Sequence, residues 1–76
     1  MTEKLKDIII EFVDADKDNI KPESRFIEDL GFNSYDFMSF LGAVEDAFGV
    51  EAEESEVIKL RTVGEVVEYI KSIKKS

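Results

Sequence analysis

Apolar residues recur along this chain at helical spacing and not in alternation. Leu5, Ile8, Ile9, Phe12 and Val13 follow the i, i+3, i+4, i+7, i+8 pattern of a core-facing stripe. They predict a first helix from a cap at Thr2 to about residue 14, with Ile10 off the stripe and partly exposed. Phe37, Leu41, Val44 and Phe48, at steps of four, three and four, predict a second helix from Ser34 to Phe48. Val57, Ile58 and Leu60 mark a short helical piece over residues 53 to 60. Thr62 and Glu65 have capping-box spacing for a last helix. Its inner stripe is Val63, Val66, Val67, Ile70 and Ile73, and Lys71, Lys74 and Lys75 suit its C-terminal dipole. No alternating strand run, internal repeat or interdomain linker interrupts this pattern. The expected fold is all-α: a small bundle of three longer helices plus one short helix, in a single domain over residues 1–76.

The polar segments add candidates for chemistry. Asp14, Asp16 and Asp18 stand at the first, third and fifth positions of a calcium loop. Asn19 then replaces the turn glycine, Pro22 takes the ninth position, and Arg25 replaces the bidentate glutamate at the twelfth. A solvated loop is the better reading, and no metal site is expected. Pro22 predicts an extended turn, after which Phe26, Ile27 and Leu30 return apolar side chains to the core. Gly31 can supply a positive φ before the second helix. Ser34 stands where that helix begins, and on local spacing alone it reads as a helix-capping serine. Tyr35, Met38 and Gly42 fall on a second line of the same helix. Beside Asp36, Glu45 and Asp46 they make an acid-edged apolar strip, which reads equally as the edge of the core or as a surface for docking partners.

Composition narrows the function. The 76 residues include no cysteine and no histidine, so disulfides, thiolate metal sites and Cys-His or Ser-His catalysis are excluded within the chain. It is not expected to be an enzyme. No apolar run approaches the roughly 20 residues of a membrane span, and no secretory pattern opens the chain, which predicts a cytoplasmic protein. The net charge of −8 argues against nucleic acid as a partner. The distribution says more: from Phe26 to Ile58 there are nine acids and no Lys or Arg. One half of the molecule is a negative surface, suited to steering basic partners.

The residues around Ser34 carry a resemblance. Glu28-Asp29-Leu30-Gly31-Phe32-Asn33-Ser34 resembles the acyl carrier protein signature, in which an acid, Leu, Gly and an apolar residue lead into Asp-Ser-Leu. Asp36, Val44-Glu45-Asp46, Phe48-Gly49-Val50 and the acidic run from Glu51 to Glu56 are similar to the same family, without gaps from Leu30 to Val50. Asn33 stands where the family has Asp, Tyr35 where it has Leu, and Ser39 where Glu is common. These departures bear on the particular modifying enzyme and pathway.

The resemblance implies that Ser34 receives 4′-phosphopantetheine from coenzyme A, attached by a phosphopantetheinyl transferase (holo-synthase). The arm's thiol would then hold acyl intermediates as thioesters for fatty-acid or related acyl assembly. It implies partner contacts at Asp36, Glu45 and Asp46, made with acyl-transferring or synthase enzymes through basic docking patches; Tyr35 and Met38 of the acid-edged strip complete the candidate docking surface. Phe37, Leu41, Val44 and Phe48 would be core or line an acyl pocket. The expected protein is a freestanding, monomeric carrier. An aminoacyl or peptidyl carrier, including a D-alanyl carrier, is the alternative within the family. An acidic helical adaptor without a prosthetic group is the alternative outside it.

Overall fold

The computed structural model describes residues 2–74, and the Lys75 expectation lies outside them. Helix α1 spans Thr2–Ile9 and buries Leu5, Ile8 and Ile9. It is shorter than its apolar stripe predicts. Beyond Ile9 the chain tightens into i→i−3 bonds, Glu11 N–H to the Ile8 carbonyl and Phe12 N–H to the Ile9 carbonyl. Three successive β-branched isoleucines lower helix propensity at that point. Phe12 and Val13 still pack against the core from this looser turn, and Ile10 faces out.

The aspartate-rich segment forms a 3₁₀ turn, Lys17–Asn19, in which the Asp16 carboxylate accepts the Asp18 N–H. The Lys17 ammonium reaches back to α1, 2.6 Å from Asp7 and 3.5 Å from Glu3. The hydrogen bond with Asp7 raises the Lys17 pKa above its ordinary value. Among the described residues no group of three or more acids is placed to hold a metal ion. Ile20, buried, then starts a segment that pairs with the approach to the last helix. Phe26 N–H bonds the Arg61 carbonyl, Val63 N–H the Ser24 carbonyl and Gly64 N–H the Pro22 carbonyl, around an antiparallel bridge between Arg25 and Thr62. Gly64 is required there, since a Cβ would lie 3.0 Å from the Pro22 oxygen. Phe26 turns inward as expected, but Ile27 does not: successive residues of a tight turn cannot both reach the core, and Ile27 is exposed.

Helix α2, Ser34–Phe48, has the bounds its pattern predicts. It ends at Gly49, whose φ of 66° is the left-handed conformation that glycine adopts without cost. Helix α3 is a single turn, Glu54–Val57. Val57 takes the inward position, which leaves Ile58 outside. The Tyr69 hydroxyl accepts the Glu53 N–H at 2.9 Å and ties α3 to the last helix. Helix α4, Val63–Ile73, carries the complete Thr62–Glu65 capping box. Backbone N–H groups of Arg61 and Thr62 donate to the Glu65 carboxylate and hold its pKa below the ordinary 4.5.

The helices meet over an aromatic centre. Phe26, Phe32 and Phe40 lie with ring centroids 5.2 to 5.6 Å apart, flanked by Phe37 and Phe12. Phe40 is fully buried, although the stripe on α2 runs through its neighbours. At the far end of α2 the Phe48 ring is approached by two ammonium groups, Lys4 from the start of α1 at 5.3 Å and Lys74 from the end of α4 at 5.6 Å. Lys4 also donates to the Ala47 carbonyl, which gives α2 a cation at its C-terminus that its own last turn lacks. So α2 and α4 run the same way and α1 runs against them.

Candidate functional site

The start of α2 is positioned by two local devices. Asp29 accepts the Arg25 N–H at 2.8 Å and closes the turn through residues 25–30. That bond, with the nearby Arg25 charge, keeps the Asp29 carboxylate below its ordinary pKa. Gly31, at a φ of 81°, then reverses the chain. The cap that follows is Asn33 and not Ser34: the Asn33 side-chain oxygen accepts the Asp36 N–H at 2.7 Å. Ser34 is therefore the first helical residue. Its hydroxyl is exposed and makes no hydrogen bond among the described residues. This overturns the capping reading of Ser34, because one residue earlier in the chain does that work.

Ser34 borders a cleft of 510 Å³. Its apolar wall is Phe26, Ile27, Phe37, Met38, Ile58 and Leu60, and Arg25, Glu28, Glu54 and Arg61 contribute the charged part. The Arg25 guanidinium pairs with Glu28 at 2.8 Å, while Arg61 has no ion-pair partner among the described residues. Four large apolar side chains near Ser34 are open to solvent: Tyr35 at 81%, Ile58 at 67%, Ile27 at 52% and Met38 at 43%. Such a group of exposed apolar residues is unusual on so acidic a surface.

The structure distributes the expected site residues unevenly. Tyr35 and Met38 face outward beside Ser34, and Gly42 faces open space with no neighbour of this chain against it. Asp36 is half-buried and Asp46 is exposed. Glu45 is half-buried, and its carboxylate accepts the Ala52 N–H at 2.7 Å, which fastens the segment after α2. Of Phe37, Leu41, Val44 and Phe48, only Phe37 lines the cleft. Leu41 and Val44 belong to the buried core, and Phe48 stands at the opposite end of α2. The apolar pattern does not mark Ile27, Ile58, Leu60, Arg25 and Arg61 as cleft residues: it sends Ile27 to the core, counts Ile58 and Leu60 only as members of the short helix, and carries no signal for the arginines.

Residues 3–70 match the family model described as "Phosphopantetheine attachment site". The chain belongs to the acyl carrier protein family of phosphopantetheine-binding carrier domains. A solved acyl carrier protein from Enterococcus faecalis, described for its high thermal stability, has a similar fold with a TM-score of 0.83. It is 32% identical, over 96% of this chain and 92% of that one. The family consists of carriers, generally non-catalytic, that phosphopantetheinyl transferases and synthase enzymes act on. This carrier domain has, among its described residues, no helix long and apolar enough to cross a membrane.

Proposed function

We propose that this carrier domain holds acyl groups for fatty-acid or related acyl assembly, with the Ser34 hydroxyl as the attachment point for 4′-phosphopantetheine from coenzyme A. The supporting observation is the division of labour at the start of α2. Asn33 satisfies the helix N-terminus and leaves the neighbouring serine hydroxyl free beside an apolar cleft.

The residues present fit the group. A phosphodiester on Ser34 stands at the positive end of a helix of 15 residues, where the first backbone N–H groups lack intrahelical partners. When attached, the arm supplies the thiol that this cysteine-free chain lacks, and the cargo is held there as a thioester. Phe26, Phe37 and Leu60 give the cleft an apolar surface that shelters cargo from water. Tyr35 and Met38 offer apolar contacts to a visiting enzyme, and Asp36, Asp46 and the remaining acceptor capacity of Glu45 face its basic patch. Attraction of this kind raises the encounter rate and leaves release fast, as a shuttle requires.

Intact mass after incubation with coenzyme A and a broad-specificity phosphopantetheinyl transferase tests the reading. The wild type should gain one phosphopantetheinyl group, and Ser34→Ala should gain none. Absence of gain with several such transferases, or a gain in the alanine variant, refutes it.

A further inference from the structure

The chain has two arginines and eight lysines. Both arginines line the cleft beside Ser34, and no described lysine does. They come from either side of the acidic stretch and are joined through the backbone. Phe26 N–H bonds the Arg61 carbonyl at 3.0 Å, beside the Arg25–Thr62 bridge. The Arg61 N–H is tied in turn to the Glu65 carboxylate at 2.7 Å. The main chain at Arg61 is thus fixed on both sides, but the two guanidinium groups differ. That of Arg25 is occupied by Glu28 at 2.8 Å and Asp29 at 3.5 Å. That of Arg61 has neither an ion pair nor a side-chain hydrogen bond among the described residues, in a lining shared with Glu28 and Glu54. A guanidinium presents its N–H donors as a planar fork that fits a carboxylate two bonds at a time, a geometry lysine lacks. A neutral acyl end accepts none of these bonds, and an aminoacyl end brings a like charge. The phosphodiester of the arm is fixed to Ser34, where the first N–H groups of α2 are its partners.

We propose that Arg61 binds the terminal carboxylate of a cargo held on the Ser34 arm. Acyl groups that end in a second carboxylate are then held at the cleft in preference to neutral and aminoacyl ones. This rests on the carrier reading of Ser34 and specifies its cargo class. An exposed ion pair is weak between free partners, but the arm keeps both charges on one molecule, and the high effective concentration keeps the pair populated. With Arg61 removed, an anionic end meets the acids of the lining and an Arg25 already held by two carboxylates.

Loading with matched cargo tests the assignment. A broad-specificity phosphopantetheinyl transferase charges the protein from coenzyme A or from its pentanoyl, glutaryl or β-alanyl thioester, and intact mass confirms each product. With two arginines in the chain, the nitrogen–proton NMR spectrum holds two side-chain Nε–H signals, and Arg61→Gln identifies which is which. The Arg61 signal should move with glutaryl and keep its bare-arm position with pentanoyl and β-alanyl, while the Arg25 signal stays in place throughout. Glutaryl and pentanoyl forms of the wild type and of Arg61→Gln also close a double-mutant cycle in urea. Relative to pentanoyl, glutaryl should favour the folded state about 1.4- to 5-fold more in the wild type than in the variant. An Arg61 signal that glutaryl leaves in place, or a cycle with no difference, overturns the proposal. So does a move that pentanoyl produces equally. A move made in full by the bare arm assigns Arg61 to the phosphodiester and also overturns it. In each of these cases the carrier reading stands, because Ser34 was loaded. Failure of Ser34 to take the arm at all removes that reading, and the proposal with it.

Discussion

Replacing Asn33 by alanine should destabilise the domain by about 1 kcal/mol, the middle of the roughly 0.5–2 kcal/mol range for lost N-caps. Alanine can keep the extended backbone at this position, φ −103° and ψ 176°, so the change removes the side-chain acceptor and little else. The Asp36 N–H, held at 2.7 Å, must then turn to water at a half-exposed site, which argues against the upper end of the range. Against the lower end, α2 carries Phe37, Phe40, Leu41 and Val44 into the core, so its first turn cannot fray without loosening Phe37. For a domain of this size, 1 kcal/mol corresponds to a fall in melting temperature of about 4–8 °C. With a urea m-value near the low end for small proteins, about 1 kcal/mol/M, the midpoint falls by about 1 M. Asn33→Asp is the matched control. It keeps the acceptor and adds a charge that the helix dipole favours by about 0.3–1 kcal/mol, partly offset by the nearby Asp36. It should melt close to the wild type. If Asn33→Ala melts with the wild type, or Asn33→Asp melts with Asn33→Ala, the side chain does not cap α2 and the account of why Ser34 is free fails.

Two further changes probe other parts of the fold. Phe40→Ala, at the centre of the ring cluster, should cost about 3–5 kcal/mol. That is a large part of the roughly 4–11 kcal/mol expected for a chain of this length, so the urea midpoint followed by circular dichroism should fall steeply, to an unfolded protein if the wild type lies at the low end of that range, and a loss below about 2 kcal/mol would contradict the packing described. Glu65→Ala should destabilise α4 near neutral pH. Because the folded-state pKa of Glu65 is depressed, its contribution is present above the ordinary 4.5 and is lost as pH falls through the lower folded value. The wild-type advantage over Glu65→Ala in urea titrations should therefore shrink below about pH 4.5, and an advantage that persists or grows there would refute the assignment.

Periodicity located what depends on a regular helix. The bounds of α2, the Thr62–Glu65 box and the inner faces of α1 and α4 follow from side-chain spacing, which a helix converts directly into burial; Ile73, in the last turn of α4, is only half-buried and outside the core cluster, contrary to its place on the stripe. It fails where the backbone is irregular. Ile27 and Ile58 sit in tight turns, where a neighbour, Phe26 or Val57, occupies the only inward direction. Phe40 was within reach, three residues after Phe37 and four before Val44, but a single narrow stripe through Leu41 passed it over. The choice of cap between Asn33 and Ser34 depends on one residue of register, and both types cap well. The signature around Ser34 singled out the residue proposed for attachment. The cleft could not be read, because its walls come from segments far apart in the chain.

The two lysines over Phe48 also fix where the ends of the domain lie. Lys4 and Lys74 converge on one ring at the C-terminal end of α2, and Ser34 stands at the other end, about 22 Å away along a helix of 15 residues. Sequence joined to either end therefore emerges at the pole opposite Ser34, the proposed attachment residue. A fused domain, a fluorescent label or a surface tether placed there leaves the approach to Ser34 clear. The domain can be anchored by one end, or strung between two neighbours, with its loading face still turned toward visiting enzymes.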